Sequence, residues 1–264
     1  MWTFVWFIST FLGGHDGLEP TDRLTPKTFQ GNPWGPAAYE ARRNGSLPSI
    51  VETPAMKQWQ AWGKASLQDG DILFRRGDAR LLMGYFPFSK FLANVTNSRF
   101  SHTGQVGIED GEPFVYDMTY SGVRRQPLSV WLLDNKGAFA IKRIRADRVA
   151  SAVKALDFCR DVYRRQVPFD FELSPDDRAY YCIELTEKCY RAAGIPLSEP
   201  VLLGDMERAS EYPICMYMFQ TFSPLKLDQP VFFPGNERHG IWSSPLLQTV
   251  YESPREEVAK AASR

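Results

Sequence analysis

Apolar and polar positions change period several times along this chain, and those changes mark out its elements. Asp69-Gly70-Asp71 is a turn that feeds a short buried run, Ile72-Leu73-Phe74. Leu81 to Asn97 is apolar with a mostly helical spacing and predicts one or two short helices. The period then becomes two: Phe100, His102, Gly104, Val106 and Ile108 share one face of a strand. Asp110-Gly111 is the preferred two-residue hairpin turn, with Pro113 to Thr119 as the return strand. Phe139 to Ile144 predicts a third strand, reached from the hairpin through a Trp131-containing loop. Val149 to Arg165 is an amphipathic helix, with Val149, Ala152, Val153, Leu156, Cys159 and Tyr163 at three- and four-residue spacing. Pro168 lies beyond its end. A second helix, about Tyr181 to Ala193, is stopped by Gly194 and Pro196.

These elements predict one α+β domain over about residues 63–222, entered by a short helix at Ala55 to Gln68. Residues 15–62 are rich in Pro, Gly and polar side chains and read as an irregular arm. Residues 223–264 read as a turn-rich tail ending in a charged helix. Residues 1–14 are a hydrophobic segment, and Trp2 to Leu12 carries no charge. That run is too short to span a bilayer, which takes about 20 residues. It lacks the basic start of an export signal. It is therefore either an export or envelope-associating segment, the reading favoured here, or an arm docked on the domain. The corresponding location is the cell envelope or outside the cell, with the cytoplasm as the alternative.

Composition narrows the chemistry. The 31 basic and 31 acidic residues cancel, so the chain has no electrostatic footprint for nucleic acid. Three histidines and four cysteines without a CxxC pair give no metal-site spacing, and nothing calls for a cofactor. Cys182 and Cys189, two helical turns or roughly 10 Å apart, are too distant for a disulfide.

Cys182 opens the second helix in Tyr180-Tyr181-Cys182-Ile183-Glu184-Leu185, and His102 lies on a strand 80 residues earlier. The positive end of a helix dipole favours an anion and lowers a thiol pKa. A lone cysteine or a lone histidine on an apolar face is ordinarily core, so the case rests on their partners. If Asp110-Gly111 is the turn, Glu109 faces Glu112, Thr119 faces His102, and Asp117 faces Gly104. Asp117 and His102 are then diagonal neighbours on one face. Gly104 removes a side chain that would crowd them. A carboxylate in that position fixes an imidazole's tautomer. The register also sets Glu109 against Glu112, like against like. Asp71 reads as a turn residue, and Asp170, Asp176 and Asp177 as shaping the loop before the second helix. Glu184 reads as a favourable charge in that helix's first turn, and Arg124-Arg125 as a solvated basic pair.

The segments GDILF (70–74), SHTGQVGIEDGEPFVYDMT (101–119) and VPFDFELSPDDRAYYCIELTEKCYRAAGI (167–195) together resemble the YiiX/YebB-like group of circularly permuted NlpC-type, papain-like cysteine hydrolases. The likeness covers roughly residues 69–200. Histidine before cysteine reverses the order in papain, as a permuted chain requires. The resemblance implies an antiparallel sheet packed against a cysteine-bearing helix. It further implies Cys182 as nucleophile, His102 as general base and Asp117, where family members often carry Glu, as the histidine-orienting acid. Cys182 would attack an amide or ester carbonyl and form an acyl-enzyme. The oxyanion would sit near the Cys182 N–H and one further donor, with Tyr181, Tyr180 and Gln105 as candidates. Gln105 faces away from His102, which counts against it.

Three functions follow. The first is hydrolysis of amide bonds, with cell-wall peptides as the substrate class. The second is acyl transfer or lipid deacylation on the same fold, with Tyr85, Phe86, Phe88 and Phe91 as either an acyl pocket or core. The third is a non-catalytic binding module. The expected partner is a peptide or an acyl-containing small molecule.

Overall fold

The computed structural model describes residues 20–80, 86–174, 176–222 and 225–253. The hydrophobic segment 1–14, Tyr85 and the charged end of the tail lie outside the described residues. Helices α1 (Pro36–Arg43) and α2 (Pro54–Ser66) precede strand β1 (Ile72–Arg75). Thr53 caps α2 by accepting the Met56 N–H at 3.3 Å, and Pro54 presets its first turn. Helix α3 (Phe88–Val95) leads to β2 (His102–Glu109), β3 (Glu112–Thr119) and β4 (Gly122–Pro127). Next come α4 (Leu128–Trp131), β5 (Phe139–Ile144), α5 (Val149–Arg165) and α6 (Cys182–Ala192). Two-residue strands β6 (Val201–Leu202) and β7 (Pro230–Val231) flank α7 (Pro213–Phe222), and β8 (Leu247–Glu252) ends the described chain.

Six strands form one antiparallel sheet in the order β4-β3-β2-β1-β5-β8. The β2–β3 hairpin runs in register from Glu109 opposite Glu112 to Gln105 opposite Tyr116. Its turn places Asp110 and Gly111 at φ 50° and 77°, the positive pair that matches the twist of the strands. The two facing glutamates each have a cation: Glu109 bonds Arg125 and Glu112 bonds Lys64.

The sheet is covered on both sides, which is why little polar surface remains on its strands. On one side Ile72, Phe74, Tyr116, Met118 and Ala140 meet α5 and α6. On the other, Leu73, Val106, Val115 and Ile141 meet Leu67 at the end of α2 and Leu128 and Trp131 of α4. Helix α5 stops where Gln166 turns left-handed at φ 53°, just before Val167-Pro168. Helix α6 is buried along Ile183, Leu185, Thr186, Cys189 and Tyr190, and all four cysteines are free thiols.

Three expectations change. Residues 122–127 form a strand, not a loop, and Arg124 and Arg125 on it are not solvated: Arg124 is fully buried and Arg125 stacks on Phe114 while bonding Glu109. The tail beyond residue 222 is turn-rich, yet Leu247–Glu252 adds an edge strand to the main sheet beside β5. The arm carries α1, ahead of the expected helix α2, and is fastened to the sheet, with Asn32 donating to the Val123 carbonyl at 2.6 Å and Arg125 donating its N–H to the Trp34 carbonyl at 3.1 Å.

Gly104 lies on β2 against Val115 and Asp117 of β3. A Cβ there would lie 2.6 Å from Val115 Cγ1 and 3.2 Å from the Tyr116 carbonyl oxygen. Val115 is β-branched and buried, so it has little room to move. Gly104→Ala should therefore lower unfolding free energy by about 1–3 kcal/mol, the usual cost of overpacking a filled core, measurable by urea denaturation.

Candidate active site

His102 begins β2, and Asp117 lies near the end of β3. Their side chains meet on the face of the sheet covered by α4. His102 Nε2 is 2.7 Å from Asp117 Oδ2, in a contact almost closed to solvent. The Trp131 indole donates to the same oxygen at 2.8 Å. Arg124 grips the carboxylate from the neighbouring strand, Nε to Oδ1 at 2.9 Å and a terminal nitrogen to Oδ2 at 2.6 Å. With Nε2 assigned to Asp117, Nδ1 is the nitrogen on the ring's other edge.

The electrostatics follow from burial opposed by charge. Desolvation alone would raise the Asp117 pKa, but the Arg124 guanidinium and the His102 contact hold it well below the usual carboxylate range. Desolvation and the cation of Arg75 push the His102 imidazole down to about 4, against the pull of Asp117. The ring is therefore neutral at physiological pH, the form that accepts a proton.

A second tier of charges lies behind this pair. Arg75, at the end of β1, bonds the Trp131 carbonyl at 2.5 Å and lies 3.3 Å from Asp134. Arg124 also lies 3.4 Å from both Asp22 and Asp134. Thr21 of the arm binds Asp134 twice, N–H at 2.9 Å and hydroxyl at 2.7 Å. Burial raises Asp22 to about 6 despite Arg124. Arg75, Arg124, Trp131, Asp134 and Thr21 were not legible as site residues. Only Arg75 left a trace, because alternation with Leu73 puts it on the inner face.

The start of α6, with Cys182, lies on the other side of β2. Thr103 follows His102 and so points the opposite way, toward α6. Its hydroxyl donates to the Cys182 carbonyl at 3.4 Å and pairs with the Thr186 hydroxyl at 2.8 Å. One strand thus holds the acid–imidazole pair with one residue and the start of the cysteine helix with the next. The Cys182 side chain is half-buried and forms part of the wall of an apolar cavity.

The remaining candidates have other engagements. The Tyr181 hydroxyl donates to the Phe232 carbonyl at 3.2 Å and accepts the Phe232 N–H at 2.5 Å. Gln105, on β2, is buried against α6, its amide nitrogen donating to the Thr186 carbonyl at 3.4 Å. Tyr180 is buried, and desolvation lifts its phenol to about 12. Its backbone pairs with Pro168 and Asp170. Asp71 keeps its turn role by accepting the Gln68 N–H at 2.9 Å, and adds a two-pronged pair with Arg143. Asp170 accepts the Glu172 N–H at 2.8 Å within the loop before α6.

Residues 66–251 match the family described as permuted papain-like amidase enzyme, YaeF/YiiX, C92 family. The chain belongs to that family. It is similar to the uncharacterized protein YiiX of Escherichia coli strain K12, 25% identical over 206 residues that make up 77% of this chain and 92% of that one. It also resembles the crystal structure of metalloprotein YiiX from Escherichia coli O157:H7, with a TM-score of 0.60 and 24% identity over 71% of this chain and 98% of the other. The family fold, α+β with an antiparallel sheet against the cysteine-bearing helix, is the one seen here. Among the described residues no group of three or more His, Cys, Asp and Glu side chains is disposed to hold a metal ion.

Glu184 departs from its expected role. It accepts the Tyr181 N–H at 3.4 Å at the start of α6, but burial raises its pKa to about 8. It is therefore largely protonated at pH 7 and brings little charge to the helix dipole. The folded state holds this proton between pH 4.5 and 8 while an unfolded chain releases it, so the contribution to stability falls as pH rises through that window. Glu184→Gln should remove the loss: its thermal midpoint should stand several degrees above wild type at pH 8 and near it at pH 5, by scanning calorimetry. His102 acts in the opposite direction. Its depressed pKa makes the unfolded chain the better proton binder between pH 4 and 6.5, so stability falls as pH drops through that range. His102→Gln should blunt the acid-side loss in the same experiment.

Proposed function

We propose that this protein is a cysteine hydrolase of amide bonds in which Cys182 is the nucleophile, His102 the general base and Asp117 the residue that orients the imidazole. One observation carries the reading: a buried 2.7 Å His102–Asp117 contact lies on a strand whose next residue bonds the carbonyl of Cys182. Membership in a family of amidases supports the bond type.

His102, held neutral, accepts the Cys182 proton through Nδ1 as sulfur attacks the carbonyl carbon. Asp117 steadies the imidazolium that forms, and Arg124 keeps Asp117 ionised to do so. The Cys182 N–H stands at the first position of α6, where helix N–H groups lack intrahelical acceptors, and serves the developing oxyanion. As the tetrahedral species collapses, the C–N bond breaks and His102 returns the proton to the departing amine. Water then cleaves the thioester to a carboxylic acid and the free thiol.

His102→Ala should lower hydrolysis of a cleaved amide by on the order of 10²–10⁴-fold, the usual contribution of a positioned base. It should also slow iodoacetamide alkylation of Cys182 at pH 7, followed by mass spectrometry. Cys182→Ser should remove hydrolysis altogether. A thiol that reacts like free cysteine both in the wild type and in His102→Ala would instead mark a binding module on this fold.

A further inference from the structure

The cavity bordered by Cys182 has an occupant class written into its walls. It is about 100 Å³ in volume and lies between α3, the loop before α6, α7 and β7. Phe91, Leu173, Met206, Met216 and Phe232 supply carbon and sulfur surfaces, and no charged side chain lines it. Two of the wall residues carry a polar side-chain group. One is the Tyr181 hydroxyl, already satisfied in both directions by the Phe232 backbone. The other is the Cys182 thiol. A cavity with no unsatisfied polar group and a nucleophile in its wall is suited to an apolar group attached to the carbon under attack.

We propose that this cavity is the acyl-side specificity pocket, and that the substrate is an amide whose acyl part is a short, uncharged, apolar chain. The inference rests on Cys182 being the nucleophile and adds which side of the scissile bond the protein recognises. Apolar cavities of this size stay dry, and one of about 150 Å³ accommodates benzene, so a chain of about four carbons fits here. Entry of such a chain displaces no bound polar partner and removes apolar surface from water. A chain bearing a carboxylate would lose its hydration and find no donor in the walls. In the covalent step the Cys182 S–C bond forms as the C–N bond breaks, the chain stays in the cavity as a thioester, and the amine departs on the other side with the proton from His102.

Acylation of Cys182 by p-nitrophenyl acetate, butyrate, hexanoate and monosuccinate tests this. The ester C–O bond breaks, nitrophenolate is released and measured by absorbance, and the adduct is weighed by mass spectrometry. The second-order rate should rise about fourfold per added methylene from acetate to butyrate, which follows from about 0.8 kcal/mol per buried methylene. It should level off at hexanoate, and monosuccinate should trail butyrate by at least about tenfold. Leu203→Trp, which adds bulk at the cavity wall, should abolish the gain from acetate to butyrate, so that the two esters acylate Cys182 at about the same rate. Met216→Trp should do the same from another element, and far-UV circular dichroism with a cooperative thermal transition reports that each variant is folded. Equal rates for all four esters, or a preference for monosuccinate, would overturn the pocket and leave the thiol chemistry standing. Absence of any adduct on Cys182 would overturn both.

Discussion

The buried carboxylate of Asp117 is the constraint on which the rest of the site depends. A bare charge at full burial is untenable, and the fold answers with a two-pronged Arg124 pair, an indole N–H and an imidazole on one group. Each partner comes from a different element: β4, α4 and β2. The carboxylate thereby ties the hairpin to the fourth strand and to the turn of helix that follows it. Arg124 in turn requires the acids Asp22 and Asp134, and Asp134 is held by Thr21 of the arm. The arm thus completes the electrostatics beneath the imidazole.

The same arrangement sets the protonation state that matters for chemistry. Had Asp117 acted alone, its negative charge would have raised the His102 pKa. Desolvation and the Arg75 guanidinium reverse that, leaving a neutral ring backed by an ionised acid. Strand β2 then joins the two halves of the site through strand geometry alone. Successive side chains point to opposite faces, so His102 faces the charged tier while Thr103 faces the cysteine helix. The apolar cavity at Cys182 is lined by no charged side chain and so lies outside this polar system.

Much of this was readable from local pattern. Asp110-Gly111 and the alternation around it determined the hairpin register, and with it the nearness of His102 and Asp117, because a two-residue turn leaves no freedom in pairing. The spacing of apolar positions likewise located α5 and α6 to within a residue or two. Strand β4 was missed because GVRRQP looks like solvated loop: its two arginines have no local sign that acids from other elements will bury them. Strand β8 was missed for a related reason, since an edge strand of mixed polarity is defined by its neighbour, β5.

The sequence by itself determined the hairpin that carries His102 and Asp117 and the helix that Cys182 opens, since turn geometry and helix periodicity act over a few residues. Tertiary structure alone decided the charge state of those residues. Glu184 is neutral near pH 7, His102 is neutral, and Asp117 is ionised because of burial and of groups on other elements, such as Arg75 beside His102 and Arg124 beside Asp117. It also decided that the Tyr181 hydroxyl bonds the Phe232 backbone and that the Gln105 amide nitrogen bonds the Thr186 carbonyl. Desolvation and Coulomb interaction depend on distance in space, and distance in space is what a linear pattern does not contain.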